Sequence, residues 1–200
     1  MISMFGLSER EQIIAKICQV PIIKEFLLIA KIRQVPIVKE FLPWKPTAFF
    51  ITDPLVGAGF LPGKEVALVL THDDRILIDC KTGKELVRDE FSETEKEYDI
   101  GELTYKWPER CEDKIQIAGI HGGELPQVTS DGWQIFYTTV YQPQVDIILE
   151  PPKKHYWREP KECARINPRG LYDLRAFGFS YSGKSIIILG HDEVCMFNRE

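Results

Sequence analysis

Cysteine is sparse and unpaired in this chain of 200 residues. Cys18, Cys80, Cys111, Cys163 and Cys195 are odd in number and lie at least 30 residues apart. That spacing excludes a Cys-x-x-Cys zinc site and argues against a disulfide framework. Long apolar runs are missing too. Lysines and glutamates interrupt each candidate well short of the ~18 residues a membrane span requires. The opening stretch, MISMFGLSERE, has no basic start and reaches Glu9, Arg10 and Glu11 too early for a secretory signal. A reducing cytoplasm is therefore the expected compartment. No Gly-x-Ser-x-Gly elbow occurs, and the glycines at 122 and 123 are followed by neither Gly-Lys-Ser/Thr nor a helix start. No cofactor and no metal is expected.

What the chain does contain, first of all, is a copy of itself. Ile14 to Leu27 (IAKICQVPIIKEFL) recurs as Ile29 to Leu42 (IAKIRQVPIVKEFL), with twelve of fourteen positions identical at an offset of fifteen. Two copies are fewer than a repeat array needs for a continuous core. The first 45 residues therefore read as an addition to a separate body. Ser8-Glu-Arg-Glu11 forms a capping box, and the pattern predicts three short helices, over 9–18, 22–33 and 37–42, broken at the Val-Pro steps. Apolar residues cover most of the circumference of each copy, so the arm needs burial on several sides. A patch that nearly repeats itself also suits a two-fold contact. We therefore expect a homodimer through this arm, with Phe26, Ile29, Phe41 and Leu42 among the buried contacts. Packing on the parent body is the alternative.

The net charge of −5 is unevenly spread. Residues 1–45 carry seven Lys/Arg and four Asp/Glu, and the remaining 155 carry eighteen and twenty-six. Acids concentrate between Glu85 and Glu102, eight of them against Arg88 and Lys96. A body of this sign repels phosphate, which disfavours nucleic acid, and suits a basic protein partner. The plainer possibility is that the basic arm lies on its own acidic body.

From Ala48 the apolar period becomes two. Short runs at 48–52, 65–70, 76–80, 115–120, 133–141, 145–149, 176–181, 185–189 and 194–197 predict strands. His72-Asp73-Asp74, Lys81-Thr82-Gly83-Lys84 and Ser180-Tyr-Ser-Gly-Lys184 predict turns between them. Two stretches read as loops: 85–102 because of its acidity, and 150–169 because it holds four prolines without a period. The fold expected is mainly β, an antiparallel sandwich, barrel or propeller-like sheet stack over residues 47–200, with a helical arm over 1–46.

Two segments resemble blades of WD40-type propellers. EVALVLTHDDRILIDCKTGKELVRDE, residues 65–90, has the strand–turn–strand run ending in Thr-Gly-Lys-Glu-Leu. LRAFGFSYSGKSIIILGHDEVCMFNR, residues 174–199, is similar to the xFSPDGKxLxxxxxDxxVxVW pattern. The Trp-Asp pair of that family is missing from both, and about 150 β residues allow three to four blades of ~40–45. The resemblance implies blade-like hairpins in a smaller sheet fold. Residues 117–133, IAGIHGGELPQVTSDGW, are also similar to a GLxGGGLPxTxDGW-like string of uncharacterised bacterial proteins. That likeness implies a bacterial origin and one β domain, and no mechanism.

The same stretch holds the most unusual local chemistry. Gly122 and Gly123 permit positive φ and close backbone approach, so amides there can face an anion. His121 offers a base or ligand, Asp131 returns from the next turn, and Trp133 supplies an aromatic wall. The plainer reading, which we favour, is a glycine-rich connection with a hydrogen-bonded His and a core Trp. His72-Asp73 and His191-Asp192 are metal-type pairs by residue type, yet both lie between apolar runs where Asp forms turns. Lys153 to Arg158 (KKHYWR) mixes base-stacking aromatics with cations, or is a loop pinned to its core by Tyr156 and Trp157. Nothing brings nucleophile, base and orienting group to recognisable spacing. The expected function is a non-enzymatic protein-interaction module of accessory or immunity type. The alternative is a small-molecule binder or enzyme centred on His121, Asp131 and Trp133.

Overall fold

Ser185–Leu189 is buried at all five positions. In a strand successive side chains point to opposite faces, so a run of Ile186, Ile187, Ile188 and Leu189 needs an apolar neighbour on both sides. It has two. Ile187 and Leu189 face one core and Ile186 and Ile188 face another. This alternation between two cores recurs along the chain and makes the fold a stack of sheets.

The computed structural model describes residues 30–32, 34–36, 41–90, 98–141, 144–171 and 173–200. Its strands, in order, are β1 (Lys45–Ile51), β2 (Leu55–Phe60), β3 (Val66–Thr71), β4 (Asp74–Asp79), β5 (Glu85–Glu90), β6 (Tyr98–Asp99), β7 (Thr104–Trp107) and β8 (Cys111–Gln116). They continue with β9 (Ala118–Gly119), β10 (Gln134–Tyr141), β11 (Gln144–Glu150), β12 (Ala164–Leu171), β13 (Ala176–Phe179), β14 (Ser185–Leu189) and β15 (Glu193–Asn198). All pairings are antiparallel, and none of the sheets closes on itself.

Four sheets follow one another. At one end lies β6-β7-β8, then β5-β4-β3-β2-β9, then β1-β15-β14-β13, and at the other end β10-β11-β12. The first interface holds Leu68, Leu70 and Leu77 against Tyr105, Trp107 and Ile115. The second holds Ala67, Val69, Ile76 and Ile78 against Ile187, Leu189, Val194 and Met196. The third holds Ile186, Ile188, Cys195 and Phe197 against Ile135, Ile147, Leu149 and Ile166. Each buried aliphatic side chain contributes roughly 1.5–3 kcal/mol, and the central strands collect that on both faces. The third sheet is completed by the early strand β1 pairing with the last strand β15, which ties the beginning of the body to its end.

Eight of the nine expected strand runs are present, and the run 115–120 is divided between the end of β8 and the short β9 in another sheet. The expected turns at His72–Asp74, Lys81–Lys84 and Ser180–Lys184 connect β3 to β4, β4 to β5 and β13 to β14. Four differences stand out. Acidic Glu85–Glu90 is a strand, because its outer position in the sheet requires only Val87 to face a core. Ala164–Leu171 is a strand at the end of the proline-rich stretch, where Ala164 and Ile166 reach the third core. Leu55–Phe60 (LVGAGF) is a fully buried strand whose glycines hide its period. Thr104–Trp107, three of whose four residues are buried, is the middle strand of its sheet.

Of the expected arm, residues 30–32 are helical and Phe41 forms an isolated antiparallel bridge with Trp44. The third helix therefore does not extend through Phe41 and Leu42. Leu42 precedes Pro43, whose ring disfavours α conformation in the residue before it. The helix over 9–18, and Phe26 and Ile29, lie outside the described residues. Trp44, sequentially in the arm, is 1% exposed and sits in the third core. Among the described residues no helix is long and apolar enough to cross a membrane.

Candidate functional site

The glycine-rich segment after β9 folds as the sequence suggests it must. Gly119 and Gly122 exchange hydrogen bonds at 2.9 and 3.0 Å, which puts Ile120 and His121 at the tip of a tight turn. Gly122 and Gly123 adopt φ of 102° and 85°. A Cβ on Gly123 would stand 2.3 Å from the Ile117 carbonyl oxygen, so that position admits only glycine. His121 is exposed, and its ring lies 5.7 Å from that of Tyr98 in β6.

Asp131 and Trp133 belong to a different neighbourhood. Arg199 donates two hydrogen bonds to the Asp131 carboxylate, Nη1 to Oδ2 at 2.7 Å and Nη2 to Oδ1 at 2.8 Å. Thr129 Oγ1 donates a third at 2.6 Å and also receives the Trp133 amide at 2.9 Å. The Arg199 guanidinium beside it holds the Asp131 carboxyl down to about 2, with Thr129 assisting. The same guanidinium lies 4.7 Å from the centre of the Trp44 ring and 5.8 Å from that of Trp133. Trp133 meets Trp44 and Phe41 edge to face, with centroids 5.6 and 5.9 Å apart. This is a closed ion pair against an aromatic cluster. Its carboxylate is held by three hydrogen bonds, and its Trp is a core residue.

Gly123 also borders a cavity of about 380 Å³, lined among others by Glu124, Leu125, Tyr137, Arg175 and Phe177. Arg175 pairs with Asp173 at 2.8 Å, and its Nε is buried without a hydrogen-bond partner among the described residues. The cavity contains neither His121, Asp131 nor Trp133.

Two polar clusters carried no local sequence signal. Glu65 accepts hydrogen bonds from the hydroxyls of Ser180, Ser182 and Ser185, and Asn198 Nδ2 donates to Ser185 at 2.9 Å. This latches the turn before β14 to a residue 115 positions earlier. The serines were visible as a turn; the carboxylate that gathers them was not. Glu150, 1% exposed, accepts the Tyr156 amide at 2.7 Å and binds His155 Nδ1 at 3.0 Å. His155 stacks on Trp157 with centroids 4.3 Å apart, and Tyr156 packs beside Phe136. The basic and aromatic loop is thus folded onto its own sheet. Burial pushes the thiols of Cys80, Cys163 and Cys195 up to about 12, which leaves them protonated and poor nucleophiles.

Charge is distributed by sheet. The described residues 65–90 and 98–124, which hold β3 to β9, carry thirteen Asp/Glu against seven Lys/Arg, whereas residues 125–200 carry nine of each. Among the described residues of the body, the excess of negative charge therefore lies with the two sheets at one end of the stack. On β8 at that end, Glu112 and Asp113 are exposed. The described arm residues are at the other end: Ile32 and Val35 are buried with Ile148, Tyr156 and Cys163 beside β11, and Pro36 accepts the Arg165 amide. No protein-family model matches this chain, and no curated protein matches it.

Proposed function

We propose that this chain is a non-enzymatic protein-interaction module, of accessory or immunity type, which meets a basic partner with the acidic end of its sheet stack. The observation that supports this most is the separation just described. The acidic sheets lie opposite the part of the arm that is docked, so the described arm leaves them uncovered. Complementary charge of this kind accelerates encounter and selects partners by sign. The face-to-face succession of antiparallel hairpins supports a propeller-like sheet stack as the architecture behind it.

The alternative, a small-molecule site at His121, Asp131 and Trp133, finds less support, because Asp131 is spent on Arg199 and His121 faces Tyr98. A thermal-shift screen against metabolites separates the two. We expect no reproducible stabilisation by any of them. Stabilisation by one metabolite, lost in His121→Ala, would transfer the proposal to the second reading.

A homodimer through the arm remains part of this proposal. Leu42, 79% exposed, is free to contact another molecule, whereas Phe41 is half-buried against Trp133. Light scattering on the full chain and on a Leu42→Asp variant checks it. A dimer that becomes monomeric is expected, and a monomeric parent chain would overturn it.

A further inference from the structure

Among its described residues, the second copy of the repeat is held on the body by Ile32, Val35 and Pro36. Ile32 and Val35 are 2% and 1% exposed, inserted among Ile148, Tyr156 and Cys163 with Phe136 alongside. The backbone between them turns through hydrogen bonds from Gln34 to Lys31 and from Val35 to Ile32, both 3.0 Å. The Pro36 carbonyl then accepts the Arg165 amide at 2.8 Å. The docked element is thus Lys-Ile-x-Gln-Val-Pro, and among its described residues the buried side chains are one Ile and one Val three residues apart.

The first copy carries the same element, Lys16-Ile17-Cys18-Gln19-Val20-Pro21. The two copies differ only at Cys18 versus Arg33 and Ile23 versus Val38, and the anchoring Ile32 and Val35 correspond to the identical Ile17 and Val20. Phe26 likewise corresponds to Phe41, which rests on Trp133. We infer that the groove formed by Ile148, Tyr156, Cys163 and Phe136 recognises the motif itself, and that the first copy, residues 14–27, is a second occupant for it. The arm then has two registers, fifteen residues apart.

The tether decides which register dominates. From Pro36 to the anchored Phe41 the chain crosses four residues, and from Pro21 it would cross nineteen. Loop-closure cost rises slowly with length, so the first copy docks about tenfold less well than the second. Both registers are therefore accessible, and loss of one copy is covered by the other. This does not depend on the homodimer reading, since a single chain supplies both occupants.

Thermal unfolding of three full-chain variants tests it. Ile17→Asp with Val20→Asp should leave the midpoint unchanged. Ile32→Asp with Val35→Asp should lower it by only ~3–6 °C, the shift that a tenfold weaker docking gives in a chain of this size. All four substitutions together should lower it by more than twice that amount, a non-additive result. A peptide of residues 14–27, added to the fourfold variant, should raise its midpoint where a scrambled peptide does not. If the pair at 32 and 35 alone is as damaging as all four, if it prevents folding, or if the peptide has no effect, the inference fails. Light scattering on the pair variant is an independent readout for the dimer: it can change without altering these midpoints.

Discussion

Asp131 is held by two hydrogen bonds from Arg199 and one from Thr129, and its effect on stability has a definite sign. Its carboxyl titrates near 2 in the folded chain and near the ordinary 3.8 when unfolded. The stabilisation is therefore complete above pH ~4 and is lost as the pH falls toward 2. The carboxylate is about half exposed, so solvent screening reduces it to roughly 1 kcal/mol. Urea titrations of the parent chain and Asp131→Asn should differ by that amount at pH 7 and converge near pH 2; a constant difference would contradict the ion-pair account. Glu150 makes a sterner case. Glu150→Ala strands the Tyr156 amide and releases His155, and should cost about 1–3 kcal/mol in the same titration at pH 7. Neither residue advertised its partner in sequence. Asp131 and Arg199 are 68 positions apart, and short-range pattern carries no information about such pairs. The glycine turn at 119–123 was legible, because positive φ and close approach are written in the residue type itself.

Among the elements, strands with two apolar faces were the legible ones. Ile186 to Leu189 and Val194 to Phe197 reveal themselves as runs that water cannot accept on either side. β2 was not legible, since Gly57 and Gly59 remove the side chains that would have shown its period. The reason for those glycines lies in the backbone of residues 116–118, from the end of β8 into β9. A Cβ at Gly59 would stand 2.1 Å from the Gln116 carbonyl oxygen, and one at Gly57 2.7 Å from that of Ala118. Backbone cannot retreat from such contacts easily, so Gly59→Ala should destabilise by about 3 kcal/mol. Gly63, at φ 69° with open space around its Cα, gives the comparison: Gly63→Ala should cost only about 1 kcal/mol. Equal losses in the two variants would remove the close-approach explanation. β5 was hidden for a different reason. Its acids line an outer strand, where charge is tolerated and discourages pairing with other chains, while Arg88 pairs with Glu85 of its own strand and with Asp74 of β4. Acidity read alone as a loop signal overlooks this position.

At the scale of the molecule, the stack has two unlike ends. One carries the excess of acidic residues around β3 to β9, and the other receives described residues of the second copy of the repeat on β11 and the 151–163 loop. Charge asymmetry was visible in the sequence as numbers along a line, but its meaning depended on which sheets lie next to each other. That order comes from the cores that Leu68, Ile187 and Ile147 enter, not from proximity along the chain. Residues 30–32 and 34–36 of the arm do lie on its own body, at the end opposite the acidic sheets. The central claim is that the acidic end is an interaction surface. It is tested most directly by capture from native lysate using the full chain and a Glu112→Lys, Asp113→Lys variant, each at 0.15 and 0.5 M salt. These two acids are exposed on β8 and outside every core, so folding should be unaffected. A partner retained by the parent chain at low salt, weakened at high salt and lost to the variant is the predicted result. A partner held equally by both proteins at both salt concentrations would contradict it.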